Sequence, residues 1–350
     1  MIQNNKQIYI NSRYKTQIQT GVQRYASEII KRISSKQFIE LYPSKELPYG
    51  LGHLWEQFIL PGKIRNNSLL WSPGGSGPII YKNQVITMHD IAPVENPEWY
   101  NKYFAKWYKF LWPKLLKNAK HIISVSEFTK SRIINIYNVK PEKITVIHLG
   151  VDDKFFIDET KDEEKCEKVA SKYNLPKQYL LMVSSPSPRK NIENIVKAYE
   201  KINRLINIPL VIVGKSGLSF AGKMNLDIQN NKNIIFTGYV DDEDLPYIYH
   251  NSAAFIYASL YEGFGLPVLE AMAAGTPVIT SNLTSMPEIA GEFAYYVDPY
   301  DISSISEGIL KVVSDINLRK KLINGGKIHA KNFSWNKTAA KTLEVLLKFA

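Results

Sequence analysis

Two glutamates eight positions apart, Glu262 and Glu270, stand in the window YASLYEGFGLPVLEAMAAGTPVIT (257–280), and their neighbours indicate what they could do. AAFIY (253–257) reads as a strand, and SLYEGFG as a loop whose Gly263 and Gly265 permit unusual dihedrals and close approach of a ligand. Pro267 suits the first turn of a helix, which Gly275 and Pro277 then end. Glu262 is thus expected just before a helix start and Glu270 in its opening turn, both at the carboxyl-terminal edge of a sheet, where open α/β sheets bind ligands. Amides at a helix start accept a diphosphate, and carboxylates accept hydrogen bonds from sugar hydroxyls. Singly, each Glu is better explained as a dipole-favoured acid in a first turn; together they describe a nucleotide-sugar site.

A second window, VSSPSPRKNIENIVKAYEKI (183–202), runs from a strand through a proline-braced turn to Arg189 and Lys190, immediately ahead of a helix. Two cations there oppose the helix dipole unless an anion lies between them, so a phosphate site explains them better than a solvated basic turn. Asp242 and Asp244 formally make an Asp-x-Asp metal pair, yet they precede the helical LPYIYHN and are accounted for as acids at a helix start; no metal is expected. In QTGVQRYASEII (19–30), Gly21 separates strand from helix as a phosphate-facing turn would, without the full G-x-G-x-x-G pattern, and Arg24 follows one turn on, toward a cleft or toward solvent. His89 and Asp90 follow the strand VITM in a strand-end loop, a common place for functional side chains; a buried, hydrogen-bonded histidine is an equal explanation. Ser126 reads as a helix cap, with Glu127 beside it as a cleft residue.

The elements that must hold these residues form two series. Strand-like runs at 8–10, 85–88, 121–125 and 144–147 alternate with helix-length segments, and a second series runs at 179–184, 209–213, 233–236, 253–257, 277–280 and 294–297. Short, nearly all-apolar strands imply parallel sheets covered on both faces. The fold class is therefore α/β, with two doubly wound Rossmann-like domains and an interdomain cleft. Between the series, DKFFIDETKDEEKCEKVASKYNLPKQ (153–178) is charged and aperiodic and reads as the linker, giving domains over 1–165 and 166–334. FSWNKTAAKTLEVLLKF (333–349) reads as a closing helix capped by Ser334, with 335–350 set apart.

Composition narrows the class. With 45% hydrophobic and 22% charged residues in 350, the chain resembles an ordinary globular protein of two domains. No run of about eighteen apolar residues occurs, and no signal-peptide core, so a cytoplasmic, non-spanning protein is expected. Forty-four basic against 33 acidic residues give +11, which favours an anionic partner: nucleotide phosphates, a lipid surface or nucleic acid. The basic residues are scattered and no nucleic-acid module is present, so nucleic acid is set aside. Tyr103–Lys120 interleaves aromatics with lysines; a partly buried helix with wet lysines is preferred there over peripheral contact with an anionic bilayer. The single Cys166, in a charged run, carries no functional weight.

E-G-F-G-L-P-V-L-E, followed by A-A-G-T-P-V, resembles the paired-glutamate signature of the retaining glycosyltransferases of family 4, and the resemblance extends over nearly the whole chain, strongest from 183 to 290. It implies the GT-B fold, with an amino-terminal acceptor domain and a carboxyl-terminal donor domain. It implies that Glu270 binds the nucleotide ribose, that Glu262 lies beside the donor sugar, and that Phe264, Gly265 and Leu266 offer amides to the donor. The segment 183–202 is similar to the one that grips the diphosphate. Many members carry Gly-Arg where this chain has Ser184 and Ser185, which leaves Ser185 in the donor site and Arg189 in place of the missing cation. NIIFTGYVDD resembles the base-binding strand and turn, with Gly238, Tyr239 and Val240 near the nucleobase; Gly21 would lie near the reaction centre and His89 would touch the donor sugar or acceptor. HLGVDD (148–153) is similar to the N-G-V-D turn of the family, His148 replacing asparagine. The expectation is a metal-independent hexosyltransferase of bacterial polysaccharide assembly, lipopolysaccharide O-antigen included, using a nucleotide sugar (GDP-mannose before UDP- or dTDP-sugars) and a glycan or lipid-linked glycan acceptor. A sugar epimerase or a phosphorylase on the same scaffold is the alternative.

Overall fold

The computed structural model describes residues 7–16, 21–33, 37–45, 47–48, 50–65, 67–185, 187–214 and 231–350. The chain forms two compact units, 1–150 with 334–350, and 151–333.

The first unit carries β1 (Ile8–Asn11), β2 (Phe38–Leu41), β3 (Leu69–Ser72), β4 (Gln84–Met88), β5 (His121–Ser124) and β6 (Ile144–Val146), ordered β2-β1-β3-β4-β5-β6. The second carries β7 (Leu180–Val183), β8 (Leu210–Val213), β9 (Ile234–Gly238), β10 (Ala254–Tyr257), β11 (Val278–Ser281) and β12 (Ala294–Val297), ordered β12-β11-β10-β7-β8-β9. Every described pairing is parallel. Strands such as LVIV (210–213) are buried throughout, because helices cover both faces of a parallel sheet. The order reverses between β1 and β3 in one sheet and between β7 and β10 in the other, and loops leaving the carboxyl ends of such strand pairs diverge and open a crevice.

Three readings of the sequence change. FIEL and LLWS form two further strands (β2 and β3) beyond the four expected in the first half, since four residues are too few to show a period. The charged stretch 153–178 is not a linker: it holds the helix Glu159–Lys172, which packs on the helix Leu245–His250 of its own unit. Charge hid that helix, because most of its residues face water. The units accordingly change at 150/151, ahead of the expected 165/166. The terminal helix Trp335–Phe349, capped by Ser334 Oγ on Lys337 N at 3.2 Å, is part of the first unit rather than a separate closing element. It lies on the helix Gly21–Ile33, with Trp335 buried and its ring 6.3 Å from that of Tyr25.

Gly150 lets this return pass. A Cβ there would stand 2.1 Å from Trp335 N and 2.4 Å from Ser334 C, and backbone cannot yield as a side chain can. Gly150→Ala is expected to cost about 2 kcal/mol or more, read as a lower urea midpoint; an unchanged midpoint would show that the segment has slack.

Candidate active site

The loops leaving β7 and β10 carry the charged residues that the sequence singled out. Lys190 Nζ lies 2.6 Å from Glu262 Oε1 and Arg189 Nη1 lies 3.1 Å from Oε2, so one carboxylate is held by two cations, one on each oxygen. Lys190 Nζ also donates to Tyr257 Oη at 2.5 Å. Glu262 and Lys190 are both buried. Burial by itself raises a carboxyl pKa, but the charges of Arg189 and Lys190 outweigh it and Glu262 is shifted below its ordinary value. Tyr257 is pushed well above its ordinary value by burial and then by Glu262, and stays a neutral phenol. The anion expected between the two cations is thus present within the protein, and the three side chains together keep one positive charge.

The surrounding backbone is fixed around this cluster. Leu260 N donates to Arg189 O at 2.8 Å, tying the two loops together. Asn191, left-handed at φ 58°, opens the helix Ile192–Ile206 and sends its amide to Ala258 O at 2.9 Å and Pro299 O at 2.6 Å. Ser285 Oγ reaches the carbonyls of Glu262 and Phe264, each at 2.9 Å. Gly265 takes φ 100°, and a Cβ would lie 2.3 Å from Met286 Cε, so only glycine fits. Tyr257, Asn191 and Ser285 were not selected from the sequence. Tyr257 read as core strand, Asn191 had only its place before a helix as a signal, and Ser285 had none.

Other expected residues fall as follows. Leu266 opens the helix Leu266–Ala273, which no side chain caps. Glu270 is buried in its second turn, not its opening turn, and accepts from Tyr249 Oη at 3.3 Å. Phe264 is buried with its ring 6.3 Å from that of Phe333. Ser185 is exposed in the turn after β7, where its carbonyl accepts from Ser184 Oγ at 3.0 Å; Pro186 of that turn lies outside the described residues. Gly238 ends β9 at φ 73° with nothing within 4 Å of a Cβ, Tyr239 is 79% exposed, and Val240 is buried. Asp244 does not cap its helix: it accepts from Lys172 Nζ at 2.6 Å and Tyr173 Oη at 2.9 Å, while Asp241 shares Lys172 at 2.8 Å. These acids tie one helix to another, and Asp242 is exposed.

In the first unit His89 follows β4, its Nε2 2.8 Å from Pro73 O and its ring edge-on to Tyr25 at 5.0 Å. A carbonyl only accepts, so Nε2 carries the proton and Nδ1 the lone pair. Burial, ahead of any other cause, lowers its pKa and keeps the imidazole neutral at pH 7. Asp90 is occupied with Ala92 N at 3.1 Å. Gly21 heads the helix Gly21–Ile33 with open space where a Cβ would stand; the turn before it, 17–20, lies outside the described residues. Arg24 is half-buried on the same helix. Ser126 caps its helix through Thr129 N, and Glu127 Oε2 lies 3.5 Å from Lys130 Nζ. His148 serves through its carbonyl, which accepts from Thr338 Oγ1 at 2.8 Å.

Known proteins are similar to this chain. The pattern of the glycosyl transferases group 1 matches residues 163–329, and that of glycosyltransferase family 4 matches 71–155. The O-antigen chain mannosyltransferase B of Escherichia coli is 34% identical over 277 residues, covering 76% of this chain and 72% of its own. The chain belongs to the glycosyltransferases of group 1 and family 4. This glycosyltransferase is also 31% identical over 252 residues to the O-antigen chain mannosyltransferase RfbU of Salmonella typhimurium, covering 71% of this chain and 66% of RfbU. Among solved structures, HepE of Anabaena in complex with UDP and glucose superposes with a TM-score of 0.75 at 15% identity, over 97% of this chain and 99% of HepE. That likeness is one of fold: the two parallel α/β sheets of this glycosyltransferase are those of GT-B enzymes.

Removing Lys190 leaves Glu262 Oε1 without its donor at 2.6 Å, while Arg189 still faces Oε2. Lys190→Met in this glycosyltransferase is expected to cost about 2–4 kcal/mol, with part recovered in Lys190→Met/Glu262→Met. Because the folded-state pKa of Glu262 is depressed, its contribution is complete above the ordinary glutamate range and is lost as pH falls through the lower folded value. Denaturant titrations at pH 7 and at pH 4 check both points; a Lys190→Met midpoint equal to wild type would show that Arg189 alone balances the carboxylate.

Proposed function

We propose that this glycosyltransferase moves a hexose, mannose, from GDP-mannose to a glycan or lipid-linked glycan acceptor, with retention at the anomeric carbon and without a metal, as a step of lipopolysaccharide O-antigen assembly. The observation that carries the reading is the Arg189–Glu262–Lys190 cluster at the β7/β10 reversal, with Glu262 and Lys190 buried, which keeps one positive charge beside two helix starts. A diphosphate complements that charge and the helix amides of Gly265 and Leu266. The mannosyl identity is supported by the names of the two relatives. On this reading the second unit holds the donor: Glu270 takes the ribose, the turn Gly238–Val240 the base, and Ser185 and Phe264 line the diphosphate and sugar. The first unit takes the acceptor, with Gly21 and His89 facing the transferred sugar or the acceptor.

Glu262 is ionised and clamped on both oxygens, so it is a poor nucleophile and cannot give up a proton it does not hold. It positions the sugar instead. The acceptor hydroxyl then forms its bond to the anomeric carbon on the face from which the phosphate leaves. The anomeric carbon–oxygen bond to the diphosphate breaks, and the hydroxyl proton passes to the departing phosphate oxygen. Arg189 and Lys190 stabilise the charge that develops there.

We also propose peripheral contact with an anionic bilayer, placing the enzyme at the inner face of the plasma membrane. No described helix is long and apolar enough to cross one. The helix Lys102–Asn118 buries Ala105, Tyr108, Leu111, Trp112, Leu115 and Leu116, and its outer face exposes Lys102, Lys106, Lys109, Lys114 and Lys117 beside Tyr103 and Phe110. Lysines over aromatic rings suit an interface that is wet, anionic and apolar in turn.

Glu262→Ala is expected to lower mannosyl transfer by about tenfold or more while nucleotide affinity is largely kept; unchanged turnover would refute the role. Thermal shifts against GDP, UDP and dTDP and their sugars rank the donors, since stabilisation grows with the logarithm of ligand concentration over Kd, and GDP-mannose is expected to give the largest shift. In sedimentation with vesicles, phosphatidylglycerol should retain the enzyme and phosphatidylcholine should not; equal recovery from both would remove the membrane from the reading.

A further inference from the structure

Tyr257 is the last residue of β10, the strand whose carboxyl end leads into the loop that carries Glu262. The strand lies inside its sheet, paired with β7 on one side and β11 on the other. The Tyr257 carbonyl accepts from Thr280 Oγ1 of β11 at 3.0 Å. Phe255, two residues earlier and therefore on the same face of the strand, stacks its ring on that of Tyr257 with centroids 5.6 Å apart. A tyrosine has only two side-chain torsions, and burial confines both. The phenol oxygen is thus a fixed point at the carboxyl edge of the sheet.

Lys190 is the opposite kind of side chain, a compact ammonium on a flexible four-carbon stem. Tyr257 Oη accepts from it at 2.5 Å and Glu262 Oε1 at 2.6 Å, and the ammonium also stands 4.7 Å from the centre of the Tyr257 ring. These two acceptors have different effects. Glu262 is charged, so it competes with any anionic ligand for the same ammonium. The phenol is neutral, kept protonated by burial and then by the charge of Glu262, so it fixes the ammonium without cancelling its charge. Without the phenol oxygen the balance moves toward Glu262, and the ammonium is drawn onto the carboxylate rather than toward a phosphate.

We infer that Tyr257 is a positioning residue of the donor site: its hydroxyl holds the Lys190 ammonium where a diphosphate meets it, so that phosphate affinity depends on a buried side chain acting through Lys190. That role rests on the reading of the second unit as the donor-binding unit. The hydroxyl bears on the phosphates alone, because in that reading the base and ribose are bound elsewhere, by the turn Gly238–Val240 and by Glu270.

The test is titration calorimetry of GDP against the full chain, Tyr257→Phe, Lys190→Met and Tyr257→Phe/Lys190→Met. Tyr257→Phe removes one oxygen and leaves the ring. It is expected to weaken GDP binding about fivefold or more in the wild-type background, but by less than about twofold once Lys190 is methionine, since residues of one network are not additive. Guanosine, which has the base and ribose but no phosphate, should bind wild type and Tyr257→Phe within about twofold of each other by saturation-transfer NMR; a merely structural role would weaken both ligands together. UDP and uridine serve in the same way if the thermal shifts favour uridine. A Tyr257→Phe enzyme that binds the diphosphate as wild type does overturns the proposal, as does an equal loss in the Lys190→Met background or an equal loss for the nucleoside. If the variants carrying Lys190→Met lack a cooperative melt, the comparison of diphosphate with nucleoside in Tyr257→Phe decides alone. A wild type that binds neither GDP nor UDP removes the donor site and this role together, whereas each of the other adverse results removes the role of Tyr257 and leaves the donor site standing.

Discussion

A single buried carboxylate organises the second unit. Glu262 sits between Lys190 and Arg189, and Glu262 and Lys190 would each be costly to bury without the other charges of the cluster. Their mutual neutralisation is incomplete by one charge. The loops from β7 and β10 are joined by the Leu260–Arg189 backbone bond, and Asn191 fastens the same region to Ala258 and Pro299, so the cluster is held before any substrate arrives. Electrostatic stabilisation of a leaving phosphate depends on such preorganisation, because the cost of aligning the charges is then met during folding rather than at the moment of reaction.

Both units use the same topological device. Where the strand order reverses, adjacent loops part and leave a crevice at the carboxyl ends of the strands. In the second unit the crevice is lined by a cationic cluster and uncapped helix starts. At the reversal of the first sheet it is lined by a buried carboxylate and aromatic rings. The backbone solution is shared and the side chains differ.

The expected elements and the observed ones part company for physical reasons. Apolar strands such as LLMV and LVIV declare themselves because both faces are buried, so every residue must be apolar. FIEL sits at the sheet edge with all four residues half-buried and gives no such signal. The helix Glu159–Lys172 was concealed by its charge, since few of its residues meet a core.

By itself, the sequence determined the alternation of strand and helix, the glycine that Gly265 must be, and the capping serines at 126 and 334; each is written in local spacing or in a residue type with one physical use. Only the tertiary structure decided that the two cations and Glu262 form one ion cluster, that Tyr257, Asn191 and Ser285 hold it, that the terminal helix joins the first unit, and that Asn11 and Ser76 meet on Glu56. Those facts depend on residues brought together across many positions of the chain, 72 between Lys190 and Glu262 and 45 between Asn11 and Glu56, and no local pattern records such a distance being closed.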